Sequence, residues 1–178
     1  MSVNTHPFDL LLQLAEQCRR AAPGLPAQEV VAETWSGIGF RLAGQVMVAA
    51  MGEVSEILHE PRYTVLPRVK SWVKGVANVR GRLLPIIDLS EFFHTPATTS
   101  RKQRRVLVLD RDDLFVGLLV DELFGMQHFP VNNFTTSIPV LAAPLRPFVV
   151  GGYAGEQMSL IFNFRALARD QAFLDVAI

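Results

Sequence analysis

Apolar and polar positions change their period along this chain. Over residues 7–22, PFDLLLQLAEQCRRAA, the residues Phe8, Leu11, Leu12, Ala15, Cys18 and Ala22 recur at the spacing of one helical face. Pro7 suits a first helical turn, Asp9 the positive N-terminal end, and Arg19 and Arg20 the last turn. Pro23 with Gly24 ends the helix, and residues 23–36 read as a connector. From Ile38 the period falls to two. Ile38, Phe40 and Leu42 alternate with Gly39, Arg41 and Ala43, and QVMVAAM resumes after a turn at Gly44 and Gln45. EVSEILHE (53–60) predicts a third strand. Residues 73–79 and 83–88 predict a hairpin around Arg80 and Gly81, and DLSEFFH (88–94) a helical turn. Residues 105–109 and 114–123 predict a further hairpin around DRDD, followed by a loop rich in Pro and Asn as far as Pro147. A last hairpin, 148–154 with 158–163, leads to Asn163 as the cap of a C-terminal helix, FRALARDQAFL.

The two halves of this pattern look alike. With a displacement of 69, AAMGEVSEILHEP (49–61) lies over LLVDELFGMQHFP (118–130), matching Glu53 with Glu122, His59 with His128 and Pro61 with Pro130. With a displacement of 75, LLPIIDLSEFF (83–93) lies over MSLIFNFRALA (158–168). Two short-stranded units with Gly and Pro turns predict two small, similar β-barrels. The second half has no counterpart of Asn78-x-Arg80-Gly81, so that corner is not something a barrel requires.

Composition narrows the function. The chain has 178 residues, 49% of them apolar, with 17 basic and 17 acidic residues and no net charge. No global basic field is available for nucleic acid or an anionic membrane. Cys18 is the lone cysteine, which suits a reducing compartment. The start, MSVNTHPFD, lacks the pattern of a signal peptide, and a cytoplasmic protein is expected. There is no phosphate-binding loop, dinucleotide fingerprint or nucleophile elbow. His6, His59, His94 and His128 have no metal-ligand spacing and read as loop residues. Asp110, Asp112 and Asp113 suit a hairpin turn better than a metal. The basic cluster Arg101, Lys102, Arg104 and Arg105 reads as a solvated loop. No catalytic set, metal site or cofactor is expected.

One long pattern remains: Gly75-x-x-Asn78-x-Arg80-Gly81-x-x-x-Pro85-x-x-Asp88-Leu89. It resembles the signature of CheW-like domains, the scaffold adaptors that join chemoreceptors to the histidine kinase CheA. EVSEIL (53–58), LPRVKSWVKGVANVRG (66–81) and VGLLVDEL (116–123) are similar to other stretches of that family. Asn163 departs from it, standing where relatives often carry Asp. The N-terminal helix, followed by GLPAQEVVAETWSGIGFR, resembles the CheW-like adaptor of the type IV pilus chemosensory system, which drives twitching motility.

The resemblance implies an all-β fold of two five-stranded SH3-like barrels, with an added N-terminal helix and a short C-terminal helix. It implies an extension over 1–25, a linker over 26–36, a CheW-like domain of two similar subdomains over 37–172, and a tail over 173–178. It also implies an adaptor that binds the regulatory CheW-like domain of a CheA-type kinase and the cytoplasmic tip of a methyl-accepting receptor. Such a protein is cytoplasmic and recruited to membrane-associated receptor arrays, with no nucleic acid and no membrane insertion. Val54, Ile57, Leu123 and Met126 are candidates for an apolar receptor strip, at equivalent places in the two halves; the alternative is ordinary core. Glu56, Gly75, Asn78, Arg80 and Gly81 complete the candidate partner-binding set. Arg80 is expected to pair with Glu56; direct contact with the receptor and simple solvation stay open. The rival functions are an adaptor of a flagellar array, a small-molecule-binding barrel, and a hydrolase using Asp88 with a histidine.

Overall fold

The computed structural model describes residues 7–21, 33–95, 99–111 and 114–178. Contacts divide the chain into two units, Met1–Ala32 and Glu33–Ile178. The first holds helix α1, Pro7–Ala21, acidic in its first turn and basic in its last, with an i,i+4 pair between Arg20 and Glu16.

Among the described residues the second unit holds eleven strands in two curled sheets. The strands are β1 (Thr34–Leu42), β2 (Gln45–Ala50), β3 (Glu56–His59), β4 (Val73–Val79), β5 (Arg82–Asp88) and β6 (Arg105–Arg111). They continue as β7 (Leu114–Val120), β8 (Glu122–Pro130), β9 (Phe134–Thr135), β10 (Val149–Tyr153) and β11 (Ser159–Phe162). Among the described residues, the short helix α2 (Leu89–Phe92) follows β5, and α3 (Phe164–Ala168) and α4 (Gln171–Leu174) follow β11. One sheet runs β3-β6-β7-β5-β4, and the other β8-β1-β2-β11-β10-β9. Both follow the same five-strand pattern; β9 is a two-residue addition at one edge.

The internal repeat is real, but the barrels do not follow the halves. Each sheet takes its first hairpin from one half and its second hairpin and outer strand from the other. The registers carry the repeat residue by residue. Ile38 pairs with Met126, and Leu107, displaced by 69, pairs with Ile57. In the parallel contacts Val48 pairs with Ile161, and Gly117 pairs with Ile86, reproducing both displacements.

Other expectations need correction. A nine-residue strand, β8, occupies the start of the expected loop after Leu123. Its chain bends at Gly125, which takes a positive φ of 80° beside the bulge at Gly39 and Phe40. The C-terminal helix is two helices, because Asp170 caps a new one through the Phe173 N–H. Residues 173–178 are not a free tail. Phe173 is buried, Ala177 bridges to Val69, and Ile178 N–H donates to the Arg68 carbonyl.

The main core lies between the sheets and joins Phe40, Leu42 and Met47 to Ile87, Leu107 and Leu118. Ala77, Leu84, Ile86, Val106, Val108 and Leu119 form a second core inside the curl of the five-stranded sheet. Residues 106–109 are therefore buried on both faces, which explains a continuous apolar run in place of alternation.

A buried carboxylate ties the sheets together. Asp121 sits between β7 and β8, where the chain leaves one sheet for the other. Its side chain accepts from Ala43 N–H at 3.2 Å and from Ser90 Oγ at 3.0 Å. Next to it, Asp88 caps α2 and pairs with Arg104 at 2.5 Å. So the 101–105 cluster is not a solvated run: Arg104 is tied to a buried acid, and Arg101 pairs with Glu60 at 2.9 Å.

Two stability measurements test this construction. Gly75 has a φ of 142°, and a Cβ there would lie 2.1 Å from the Thr64 carbonyl oxygen. Gly75→Ala is expected to cost at least about 2 kcal/mol in chemical unfolding; an unchanged midpoint would contradict this packing. Burial pushes the Asp121 carboxyl up, and the bonds from Ser90 and Ala43 pull it partly back. The folded protein then holds this proton at pH values where the unfolded chain, with a pKa near about 4, has released it. That contribution to stability is present below the unfolded pKa and is lost as pH rises through the folded one. The stability difference between wild type and Asp121→Asn should shrink across this range, and parallel pH curves would refute the assignment.

Candidate functional site

The Arg80 corner is a two-residue turn closing the β4–β5 hairpin, with Val79 opposite Arg82. Arg80 and Gly81 take φ values of 51° and 82°, the pattern of a type I′ turn. Glycine tolerates this, but an arginine there is strained. Two contacts hold it. The Asn78 side-chain oxygen accepts from Gly81 N–H at 2.9 Å, and Arg80 Nη2 lies 2.7 Å from Glu56 Oε1. The expected pairing of Arg80 with Glu56 is present.

The ion pair spans the sheet rather than following it. β3 and β4 are its two outer strands, yet the β4–β5 corner reaches β3. The pair therefore closes the curl of the five-stranded sheet. In the other sheet β8 and β10 are brought together by Phe129 stacked on Tyr153, with ring centroids 4.8 Å apart. One barrel is closed by charge and the other by aromatic rings. Arg80 keeps 79% of its side chain exposed and Glu56 27%. A pair this wet contributes about 0–1 kcal/mol, so its value is geometric.

The apolar candidates separate. Val54 is 9% exposed and packs in the main core, so it is not part of an exposed strip. Its counterpart Leu123 is partly buried against the same core. Ile57 is 36% exposed and Met126 61%. The reason is local: Val54 and Ile57 are three apart, and extended chain alternates faces with period two. The same alternation sets Ile57 on the opposite face of β3 from Glu56 and Leu58. Gly75 is buried and pressed against the 64–65 backbone, a packing role, while Asn78 is exposed at the end of β4 and Gly81 is an exposed turn residue.

No group of three His, Cys, Asp or Glu side chains suited to a metal occurs among the described residues. His59 and His128 lie at equivalent places on β3 and β8, not in loops, and His128 Nδ1 contacts Ser36 Oγ at 2.7 Å. His94 follows α2, and His6 lies outside the described residues. Asp110 pairs with Arg82 at 2.5 Å, which holds its carboxyl below the usual range, while Asp112 and Asp113 lie outside the described residues.

A model of the CheW-like domain matches residues 36–172. The chain belongs to the CheW-like domain family. This CheW-like protein is 59% identical to Protein PilI of Pseudomonas aeruginosa over 172 residues, 97% of each chain. It is 31% identical to the chemotaxis protein CheW of Helicobacter pylori over 113 residues, 64% of this chain and 68% of the relative. In structure it matches the scaffolding protein TtCheW from Thermoanaerobacter tengcongensis with a TM-score of 0.63 at 22% identity, over 74% of this chain and 90% of that one. This last likeness supports the fold. All nine candidate residues of the CheW-like protein fall inside the family's range, and α1 falls outside it. The described helices include none long and apolar enough to cross a membrane.

Charge substitutions read the site directly. Val54→Asp is expected to lower Tm by about 10 °C, because an unpaired buried charge costs several kcal/mol. Met126→Asp is expected to leave Tm within about 2 °C, as exposed substitutions do. A double-mutant cycle with Arg80→Ala and Glu56→Ala should give a small coupling in stability, about 0–1 kcal/mol. Equal losses for Val54→Asp and Met126→Asp would overturn the division into core and surface.

Proposed function

We propose that this CheW-like protein is a non-enzymatic scaffold adaptor of a chemosensory array that controls type IV pilus twitching motility. In this reading it holds the cytoplasmic tip of a methyl-accepting receptor and the regulatory CheW-like domain of a CheA-type kinase. It works in the cytoplasm at membrane-associated arrays. The observation that carries the reading is the full-length match to Protein PilI, which extends beyond the domain shared with CheW proteins.

The geometry supports an adaptor in three ways. The curled sheets present edge strands and apolar side chains at Ile57 and Met126, as a docking protein needs. The strained, exposed Arg80 corner is fixed against β3, so a partner meets a preorganised surface and little ordering cost is left for binding. The buried acids Asp88 and Asp121 are engaged in helix capping and sheet joining, which are structural tasks. The hydrolase reading, built on Asp88, thereby loses its acid: that carboxylate is 1% exposed and already satisfied by Arg104 and the α2 backbone.

Co-purification with fragments of the kinase and the receptor tests the proposal. Wild-type protein should retain both. Ile57→Asp and Met126→Asp should weaken receptor capture at least tenfold with Tm unchanged, since a charge facing an apolar partner surface is left unpaired. Capture of neither fragment, with a metabolite raising Tm instead, would favour a small-molecule-binding barrel.

A further inference from the structure

A cationic cleft of about 540 Å³ opens where the β6–β7 hairpin meets the C-terminal helices. Its floor is Leu109 and Phe164, both buried, and Leu174 stands exposed as a wall. Arg111, Arg165 and Arg169 line it, with Glu53 as the one acid among its described lining residues. Arg165 and Arg169 are four apart, at the start and the cap of α3. Like charges at this spacing repel. Among the described residues neither makes an ion pair, and Arg111 reaches the Gly52 carbonyl at 3.4 Å. Among the described lining residues, three guanidinium groups thus surround an apolar floor with a single acid, Glu53.

The repeat supplies an internal control. The floor recurs in kind: Leu109 answers to Phe40 and Phe164 to Leu89, all buried. The acid recurs too, Glu53 answering to Glu122. The arginines do not. Arg111, Arg165 and Arg169 answer to Leu42, Ser90 and His94, of which the first two are fully buried. The barrel therefore has no need of arginine at these places, and their cost in repulsion is unexplained by the fold.

We propose that this cleft docks an acidic peptide segment of a partner protein, separately from the exposed apolar side chains Ile57 and Met126. One large apolar side chain of the segment enters between Phe164 and Leu174, and flanking carboxylates pair with Arg165, Arg169 and Arg111. Guanidinium groups grip carboxylates through paired hydrogen bonds, and partial desolvation over an apolar floor strengthens the contact. A free inorganic anion would make no use of the apolar floor, and a recessed cleft suits a protruding side chain better than a membrane plane.

The test uses the full chain and fluorescein-labelled decapeptides carrying three or four Asp or Glu residues around one Leu or Phe. Matched panels replace the acids with Gln and Asn, or the apolar residue with Ala. Acidic apolar peptides should bind saturably, and more weakly as salt rises. Both control panels, and the Arg165→Gln/Arg169→Gln variant, should bind at least tenfold more weakly. Tm should hold in that variant, since both side chains are exposed; if it does not fold, Arg169→Gln alone serves. The proposal is overturned if no acidic apolar peptide binds, or if binding survives the arginine substitutions or the Ala replacement. Arginine-dependent capture of phosphatidylserine vesicles or inorganic phosphate, in place of the peptides, would also overturn it.

Discussion

Two parallel strand pairs, β2 with β11 and β5 with β7, govern this molecule. Each joins a hairpin from one half of the chain to a hairpin from the other. Parallel neighbours cannot be linked by a tight turn, so each pairing needs a long excursion of chain between its strands. Between β2 and β11 that excursion contains the whole five-stranded sheet, and between β5 and β7 it carries α2 and β6. The two barrels are thereby interlocked, and neither is complete without strands from both halves. Main-core residues from both sheets pack together for the same reason, with Phe93 beside α2 meeting Phe162 of β11 at 6.2 Å.

Interlocking places demands on the crossing points. Asp121 stands where the chain passes from β7 into β8, and its two side-chain hydrogen bonds reach the β1–β2 turn and α2. Polar groups buried at such a junction must be satisfied, and Asp121, Ser90 and Asp88 satisfy one another's neighbourhood. Closure of each barrel is handled differently: a wet ion pair on one side, stacked aromatic rings on the other. The near-symmetry of the fold makes such differences informative. A residue demanded by the barrel has a counterpart in the other half, as Gly75 has Gly151 beside the matching bulge. Arg80, Glu56 and the arginines of the C-terminal cleft have no counterpart of their kind, so the barrel itself does not require them.

Part of this was legible in the chain. The helix period of 7–22, the hairpins, the caps at Asp88 and Asn163, and the displacements of 69 and 75 are local or pairwise patterns that need no coordinates. The pairing of Arg80 with Glu56 was also within reach, because an arginine in a turn that the barrel does not need asks for a partner. Val54 does not share a face with Ile57, as their three-residue separation in extended chain implies. The arginine cleft is not legible in the chain, because Arg111 lies more than fifty positions from Arg165 and Arg169 and no motif joins them.

The sequence by itself determined most of the elements, the likeness of the two halves and the family, because periodicity, turn chemistry and an ordered signature are written along one dimension. Tertiary structure alone decided which half lends which strand to which sheet. Both the contiguous and the exchanged arrangement satisfy the same apolar alternation, and only long-range registers such as Gly117 with Ile86 choose between them. It also decided which face of each strand meets water and which distant arginines share a cleft, since burial is a property of the closed barrels and not of any one strand.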